Sequence, residues 1–257
     1  MALLKLEQLS LERNRTVLIE KLDLQLNQGE FWAILAANGR GKTSLLHAIA
    51  GINDFTTQGN ILYQTQVVFS MKRQLLAKAI GLLEQNPLFI FPAMVEKVIQ
   101  LGLYPWQNDN TVFTSKLQSV ETILKQFDLI TLRNRVVTEL SYGEQKRVAM
   151  AMLCLQDPII YLLDEPTNHL DIQYQYLLLT YFQPSSNKLT LMVTHDLNLV
   201  ERFCTNVLMI FADGTWIAGK KSDVMTSSNL TQLFRTPLNY SPTQHGKVWY
   251  LPNSFET

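Results

Sequence analysis

Three short apolar runs in the chain predict buried β-strands. Phe31 to Ala36 forms the first run, "IIYLLDEP" at 159–166 contains the second, and "KLTLMVTHD" at 188–196 contains the third. Short continuous runs of this kind are typical of strands that are covered on both faces. Residues 3–28 instead alternate weakly between apolar and polar positions and contain turn residues at Asn14 and Asn27. That pattern predicts short antiparallel strands at the N-terminus.

Helical spacing begins directly after the first apolar run. The segment Thr43 to Ala50 places Leu45, Leu46 and Ile49 on one side. Gly51 is expected to end this helix in the left-handed conformation.

Three further helices are expected, at residues 92–103, 114–127 and 144–156. Pro92 suits the first turn of a helix, and Asp157-Pro158 is expected to stop the last one. The second of these helices has one apolar face, formed by Leu117, Val120, Ile123, Leu124 and Phe127.

The helices therefore cluster between two parts of an α/β core. We expect the core at residues 1–85 and 158–235, with an N-terminal antiparallel β subdomain. A helical subdomain is expected at 86–157. The remaining residues, 236–257, contain three prolines and are predicted to be an irregular tail.

The stretch "AANGRGKTS" at 36–44 resembles a phosphate-binding loop, but alanine stands where that loop has its first glycine. Glycines let successive backbone N–H groups point at phosphate oxygens, and the following helix adds its N-terminal dipole. Lys42 would reach the outer phosphates and Thr43 would bind Mg²⁺. Ala36 lies at the exit of the predicted strand, before the amides that surround the phosphates, so we expect alanine to be tolerated there. The alternative is an ordinary Gly-rich turn with a chance lysine.

Acidic residues and a histidine end the other two predicted strands. Asp164 and Glu165 end one, and His195 ends the next. Open α/β sheets bind their ligands at the carboxyl ends of the strands. One carboxylate there can hold Mg²⁺ through water and the next can deprotonate an attacking water, although an acidic turn of purely structural role has the same pattern.

The order of these motifs resembles the ATPases of ABC transporters over nearly the whole chain. "LSYGEQKRV" followed by "IIYLLDEPTNHLD" is similar to their signature motif, Walker B motif and D-loop, here at 140–145, 160–165 and 168–171. Walker A then lies at 36–43, the Q-loop glutamine is Gln85 in "LLEQNP", and His195 is the H-loop residue. The resemblance implies an α/β P-loop NTPase fold and ATP hydrolysis with Mg²⁺.

Residue roles follow from the same resemblance. Glu165 would be the catalytic base, His195 would contact the γ-phosphate, and Thr43, Gln85 and Asp164 would serve Mg²⁺. The nucleotide would be bound by the phosphate loop, by the signature of a second copy arranged head to tail, and by the D-loop. The residues that would bind it are Ala36, Asn38, Gly39, Arg40, Gly41, Lys42, Thr43, Ser44, Ser141, Gly143 and Asp171.

The chain departs from the family at three positions. Besides Ala36, Tyr142 replaces the more usual glycine of the signature, so its side chain must point away from the nucleotide or pack on the second copy. The family usually stacks adenine on an aromatic residue near the N-terminus, but "LERNRTVL" offers only Glu12 or Arg13, of which Arg13 could stack through its guanidinium. "SYGE" also forms a capping box from Ser141 to Glu144, which is compatible with phosphate binding.

Composition limits the partners that this chain can have. Net charge is zero and no basic excess indicates a nucleic-acid binder. The two cysteines, Cys154 and Cys204, lie in apolar surroundings and are expected to be buried. No signal peptide or membrane span is predicted, so membrane action would need partner subunits.

The resemblance implies a multi-span permease that docks near residues 86–110. This segment contains the aromatic residues Phe89, Phe91, Tyr104 and Trp106, which would either be exposed for docking or pack in the core of the helical subdomain. "VIQLGLYPW", "THDLNLVERFC" and "GKKSDVMTSSNLTQLF" are similar to importers of iron–siderophores, haem and cobalamin. This implies a peripheral subunit on the cytoplasmic face of the inner membrane, working indirectly with a solute-binding protein. The alternatives are a soluble non-transport ABC ATPase, such as an iron–sulfur assembly factor, and a partly degenerate regulatory subunit.

Overall fold

A computed structural model describes residues 2–13, 15–52, 56–183 and 187–250. The described residues form twelve β-strands: β1 (Leu4–Arg13), β2 (Thr16–Leu26), β3 (Phe31–Ala36), β4 (Thr56–Tyr63), β5 (Gln66–Val67), β6 (Ile80–Leu83), β7 (Ile160–Asp164), β8 (Leu189–Val193), β9 (Asn206–Ile210), β10 (Trp216–Lys220), β11 (Asn239–Thr243) and β12 (Gly246–Tyr250). They also form ten α-helices: α1 (Lys42–Ile49), α2 (Arg73–Ala79), α3 (Val95–Gln100), α4 (Asn110–Gln118), α5 (Val120–Gln126), α6 (Tyr142–Gln156), α7 (Ile172–Tyr181), α8 (Leu197–Phe203), α9 (Lys221–Val224) and α10 (Ser227–Phe234).

The central sheet has six strands in the order β10-β9-β3-β8-β7-β6. Strand β10 pairs antiparallel with β9, while the other neighbours are parallel. All three predicted apolar runs lie in this sheet, as β3, β7 and β8. Their carboxyl ends therefore meet at one edge, which confirms the α/β core.

Both faces of this sheet are buried, as the apolar runs predict. In β3, Phe31 and Leu35 pack into a core shared with the helices of the middle segment. Trp32 and Ile34 pack into a second core, shared with α1 and the N-terminal strands. A strand with both faces covered has no polar face, which explains why its sequence shows no alternation.

The N-terminal strands form a separate antiparallel sheet in the order β2-β1-β4-β5. The expected antiparallel pairing of residues 3–28 is confirmed, but β1 and β2 are longer than predicted. Shifts in their register between Leu6 and Glu12 let the pair bend around the core. Asn14, where a turn was predicted, lies outside the described residues.

The middle segment is helical, with boundaries that differ from the prediction. Residues 92–103 were expected to be one helix with Pro92 in its first turn, but α3 begins only at Val95 and a 3₁₀ helix follows over Leu101–Trp106. The placement of Pro92 was therefore wrong. Residues 114–127 divide into α4 and α5 at Ser119, where the chain begins a new helix.

The predicted apolar face of residues 114–127 is confirmed at four of its five positions. Val120, Ile123, Leu124 and Phe127 are buried, whereas Leu117 lies before the break between α4 and α5 and is 40% exposed. Both cysteines are buried as predicted, and burial raises the pKa of each thiol.

The prediction of an irregular tail at 236–257 was wrong for residues 239–250, which form regular structure, and residues 251–257 lie outside the described residues. Strands β11 and β12 form an antiparallel hairpin, and Trp249 of β12 is buried beside α8. The Trp249 backbone N–H donates to Asn198 Oδ1 at 2.8 Å. Pro242 lies in β11, which pairs with β12 alone, so an edge position accommodates the residue that suggested irregularity.

Among the helices of the described ranges, none combines the length and the apolar character needed to span a bilayer.

Candidate active site

The loop between β3 and α1 has the backbone of a phosphate cradle. Gly39 and Gly41 have φ values of +73° and +79°. Gly41 is also the N-cap of α1, and Leu45 N–H donates to its carbonyl at 2.8 Å. The N–H groups that open α1 have no side-chain cap, which leaves them available to an anion.

Ala36 meets no conformational demand for glycine. It is the last residue of β3, its φ is not positive, and its side chain is 1% exposed within the second core. Its carbonyl accepts a hydrogen bond from Lys42 Nζ at 2.9 Å. The position therefore contributes through backbone atoms that alanine supplies as well as glycine.

Lys42 folds back onto its own loop. Its Nζ donates to Ala36 O and, at 3.2 Å, to Ala37 O, and the residue is 7% exposed. Burial lowers the pKa of Lys42, while the charges of Glu165 and Asp164 oppose that shift. A phosphate group would replace the two carbonyls with charged acceptors, which form stronger hydrogen bonds.

Thr43 and Asp164 meet across the sheet edge. Thr43 Oγ1 donates to Asp164 Oδ2 at 2.6 Å, and Asp164 is 1% exposed at the end of β7. Burial raises the pKa of Asp164, and the hydrogen bond from Thr43 lowers it. A nearby cation would stabilise this buried carboxylate in its charged form.

This pair fits Mg²⁺ bound together with a nucleotide. Mg²⁺ commonly takes one or two protein oxygens and fills its octahedron with phosphate oxygens and water. The described residues contain no cluster of three or more His, Cys, Asp or Glu side chains able to hold a metal without such help. The hydroxyl of Thr43 and the carboxylate of Asp164 are the donors that Mg²⁺ prefers.

Glu165 lies at the centre of a polar cluster. Gln85 Nε2 donates to its Oε2 at 2.8 Å, His195 Nε2 lies 3.2 Å from its Oε1, and the Asn168 amide also donates to Oε2. Burial lowers the pKa of His195, Lys42 lowers it further, and Glu165 opposes both. The lowered pKa favours the neutral imidazole, in which Nε2 would carry the proton that it donates to the carboxylate.

The backbone of Glu165 is held in a strained conformation. Its φ is +43°, which is uncommon for a residue with a side chain. Its N–H donates to Val193 O at 3.1 Å, and its carbonyl accepts from Lys146 Nζ at 2.8 Å. Strain that the surrounding contacts maintain in this way is characteristic of functional sites.

These groups line an open cleft of about 550 Å³, a volume suited to a nucleotide-sized ligand. Most of the predicted binding and catalytic residues lie in its wall together with Arg13 and Leu18: Asn38, Gly39, Arg40, Gly41, Lys42, Thr43, Ser44, Gln85, Glu165 and His195. Ala36 and Asp164 lie just behind this wall, in contact with Lys42 and Thr43.

Ser141, Gly143 and Asp171 do not line the cleft of their own chain. Ser141 forms the predicted capping box, in which its N–H donates to Glu144 Oε2 at 2.8 Å and its Oγ accepts from Glu144 N–H at 3.4 Å. Asp171 caps α7 by accepting from Tyr174 N–H at 2.9 Å. All three begin helices or lie in a first turn, where N–H groups point outward.

Lys146 was missed by sequence analysis. It is fully buried, its Nζ donates to Gln85 O at 2.9 Å and to Glu165 O, and burial lowers its pKa to about 8. Lysine is exposed in most proteins, so its charge gave no indication of burial. A signal was present, since it lies four residues after Tyr142 and shares a helix face with the buried Ala149 and Met150.

Comparison with known proteins identifies a family and its relatives. The family model described as ABC transporter matches residues 19–168. The chain is 31% identical to the petrobactin import ATP-binding protein FpuD of Bacillus anthracis, over 90% of this chain and 86% of that protein. It is 30% identical to the hemin import ATP-binding protein HmuV of Shewanella denitrificans, over 94% of this chain and 97% of that protein.

A solved structure has the same fold over almost the full length. It is a chain of a metal-chelate type ABC transporter in an inward-facing conformation, with a TM-score of 0.78 and 24% identity. The alignment covers 98% of this chain and 97% of that one.

Proposed function

This chain belongs to the ABC transporter family as an ATP-binding and ATP-hydrolysing member, and from that premise we propose that it energises import of a metal chelate. The proposed substrates are iron–siderophores or haem. The observation that carries the proposal is its similarity, over nine-tenths of its length, to ATPases of petrobactin and hemin import. Cobalamin, the third chelate suggested by the sequence, stays a prediction.

In the proposed mechanism Lys42 binds the outer phosphates of ATP after leaving the carbonyls of Ala36 and Ala37. Thr43 and Asp164 hold Mg²⁺, which neutralises phosphate charge when it is bound. Glu165 accepts a proton from the attacking water. A partly degenerate regulatory subunit is disfavoured because the carboxylate of Glu165 is present and is contacted by Gln85, Asn168 and His195.

The polar cluster on Glu165 determines how this base would be used. Gln85 and Asn168 bond to one carboxylate oxygen, and His195 contacts the other. These three contacts leave one of the about four acceptor sites of a carboxylate free, so Oε1 can still accept from the attacking water. His195 can also turn its Nε2–H from Glu165 to the γ-phosphate without losing a hydrogen bond.

Two copies are proposed to close head to tail over two ATP molecules. Ser141 and Gly143 lie at the N-terminus of α6 and outside the cleft of their own chain. An exposed helix N-terminus binds anions through its free N–H groups. The γ-phosphate in one copy would thus be held by Ser141 and Gly143 of the second, with Asp171 nearby.

A permease is proposed to dock on residues 86–110 at the cytoplasmic face of the inner membrane, with a solute-binding protein acting on the far side. Leu88, Ile90 and Phe91 are 81%, 70% and 79% exposed, and Leu101 and Tyr104 are 62% and 65% exposed. Exposed apolar side chains concentrated in this way mark an interaction surface.

The four aromatic residues of this segment divide into two groups. Phe91 and Tyr104 face outward and belong to the proposed docking surface. Phe89 packs against the core, and the Trp106 indole N–H donates to Gln156 O at 2.8 Å. The second pair therefore supports the surface from beneath.

The proposal is tested by co-purification from the native host. The tagged chain carrying Glu165→Gln is extracted from membranes in mild detergent with ATP, because blocked hydrolysis preserves the ATP-bound assembly. A multi-span permease should co-purify and identify the substrate class. Recovery from the cytosol with soluble partners alone would support the non-transport ATPase instead.

A matched pair of variants tests the docking surface. Phe91→Glu should abolish recovery of the permease and leave ATP binding unchanged, since Phe91 does not line the cleft. Leu117→Glu is the control, because Leu117 is exposed in the same helical segment but lies outside residues 86–110. Equal losses with both variants would remove the docking site from the proposal.

A further inference from the structure

Tyr142 connects the start of α6 to the segment that carries Gln85. Its hydroxyl lies 2.8 Å from Gln85 O and 2.5 Å from Asn86 Oδ1. A hydroxyl has one proton, so it can donate to only one of these oxygens. With Gln85 O as the acceptor, rotating the Asn86 amide lets its NH₂ donate to the same hydroxyl, which satisfies all three groups.

The ring of Tyr142 makes a second connection, to His169 in the D-loop. The two ring centroids are 4.8 Å apart with an interplanar angle of 75°, an edge-to-face arrangement. One side chain at the signature thus contacts two of the segments that surround Glu165, the one that carries Gln85 and the D-loop. Glycine, the usual residue of the family at this position, can make neither contact.

Lys146 reinforces the same link one helical turn later. Its Nζ donates to Gln85 O at 2.9 Å, so this carbonyl accepts from both Tyr142 and Lys146. The Gln85 backbone is therefore tied to α6 at two points. Its side chain extends to the carboxylate of Glu165, where Nε2 donates at 2.8 Å.

We propose that Tyr142 is a positioning residue that holds Gln85 against Glu165 and so joins the N-terminus of α6 to the catalytic carboxylate within one chain. The proposal rests on the function proposed above for Gln85 and Glu165. Movement of α6 when the second copy engages Ser141 and Gly143 would then be transmitted to the base through a hydrogen bond. The tyrosine that replaces the usual glycine of the signature would then have a positioning role in this ATPase.

The test removes only the hydroxyl. Tyr142→Phe keeps the ring and its contact with His169, while Tyr142→Gly restores the residue that the family commonly has. Loss of one hydrogen bond corresponds to a change of about two- to tenfold. We expect kcat for ATP to fall by about that factor in purified Tyr142→Phe, with KM unchanged, because the phosphate loop keeps its contacts.

The combination with Gln85→Ala decides whether Tyr142 acts through Gln85. If it does, Tyr142→Phe has no further effect on kcat when Gln85 is already alanine. Equal effects of Tyr142→Phe in both backgrounds, or an unchanged kcat in the single variant, would overturn the proposal. A change in KM alone would also overturn it.

Hydrogen exchange supplies a readout that does not depend on turnover. Amides of residues 82–92 should exchange about two- to tenfold faster in Tyr142→Phe, with the strands of the central sheet unchanged. Unchanged exchange there, or faster exchange throughout the chain, would refute a positioning role. If the parent chain lacked ATP turnover, the proposed function would fail, and exchange at 82–92 would still decide the role of Tyr142.

Discussion

Replacing Gly39 or Gly41 by alanine tests how much each glycine of the phosphate loop contributes to the free energy of unfolding. Gly39 and Gly41 both have positive φ, so alanine costs about 1–2 kcal/mol of strain at either position. At Gly39 an added Cβ meets nothing within 4 Å. At Gly41 it would lie 2.8 Å from Leu18 Cβ, an atom that no side-chain rotation can move.

This overlap separates the two variants. Overpacking of this kind costs about 1–3 kcal/mol more, so Gly41→Ala should lose about 2–5 kcal/mol and Gly39→Ala about 1–2 kcal/mol. Urea unfolding followed by circular dichroism measures the difference. With an m value of about 3 kcal/mol/M, the midpoint for Gly41→Ala should lie about 0.3–1 M below that for Gly39→Ala.

Equal midpoints for the two variants would refute this account. They would mean that β2, which carries Leu18, moves away from the added methyl group at no cost in free energy. The strain of alanine at positive φ would then be the whole effect of each substitution. A larger loss in Gly39→Ala would contradict both the strain and the packing arguments. Because each variant adds one methyl group at positive φ, each serves as the control for the other.

Three further outcomes are expected. Glu165→Gln should lower ATP turnover by about 10²–10⁴-fold and preserve nucleotide binding, and turnover at the parent rate would assign the base elsewhere. Ala36→Gly should leave KM for ATP unchanged and cost about 1–2 kcal/mol in urea unfolding, through a lost buried methyl and a more flexible unfolded chain; tighter ATP binding would contradict the geometry of β3. Burial lowers the pKa of Lys146 from 10.5 to about 8, so the unfolded chain binds more protons between these values and stability should rise with pH across that window. Burial lowers the pKa of Lys42 in the same direction, so Lys146→Met should show a smaller rise in the free energy of unfolding between pH 8 and pH 10 in paired urea titrations. An equal rise in the variant and the parent chain would show that Lys146 is not the group responsible.

Local patterns were sufficient for the elements that frame the site. The apolar runs at β3, β7 and β8 predicted buried strands because a strand covered on both faces contains no polar face. The capping box from Ser141 to Glu144 predicted the start of α6, since its hydrogen bonds join residues only three apart. The phosphate loop was predictable for the same reason: its glycines, Lys42 and Thr43 act within one turn of chain.

Contacts between distant residues were decided by the tertiary structure. Tyr142 reaches Gln85 across 57 positions, and buried Lys146 donates to two carbonyls, of Gln85 and Glu165, that lie just beyond the ends of β6 and β7. The positive φ of Glu165 depends on hydrogen bonds to Val193 and Lys146. The hairpin at 239–250 forms where α8 offers a surface for Trp249. The sequence by itself determined which residues have the chemistry for ATP, because that chemistry lies in short motifs. Only the tertiary structure decided how these residues are held together, because their contacts join the ends of separate strands, the phosphate loop and α6.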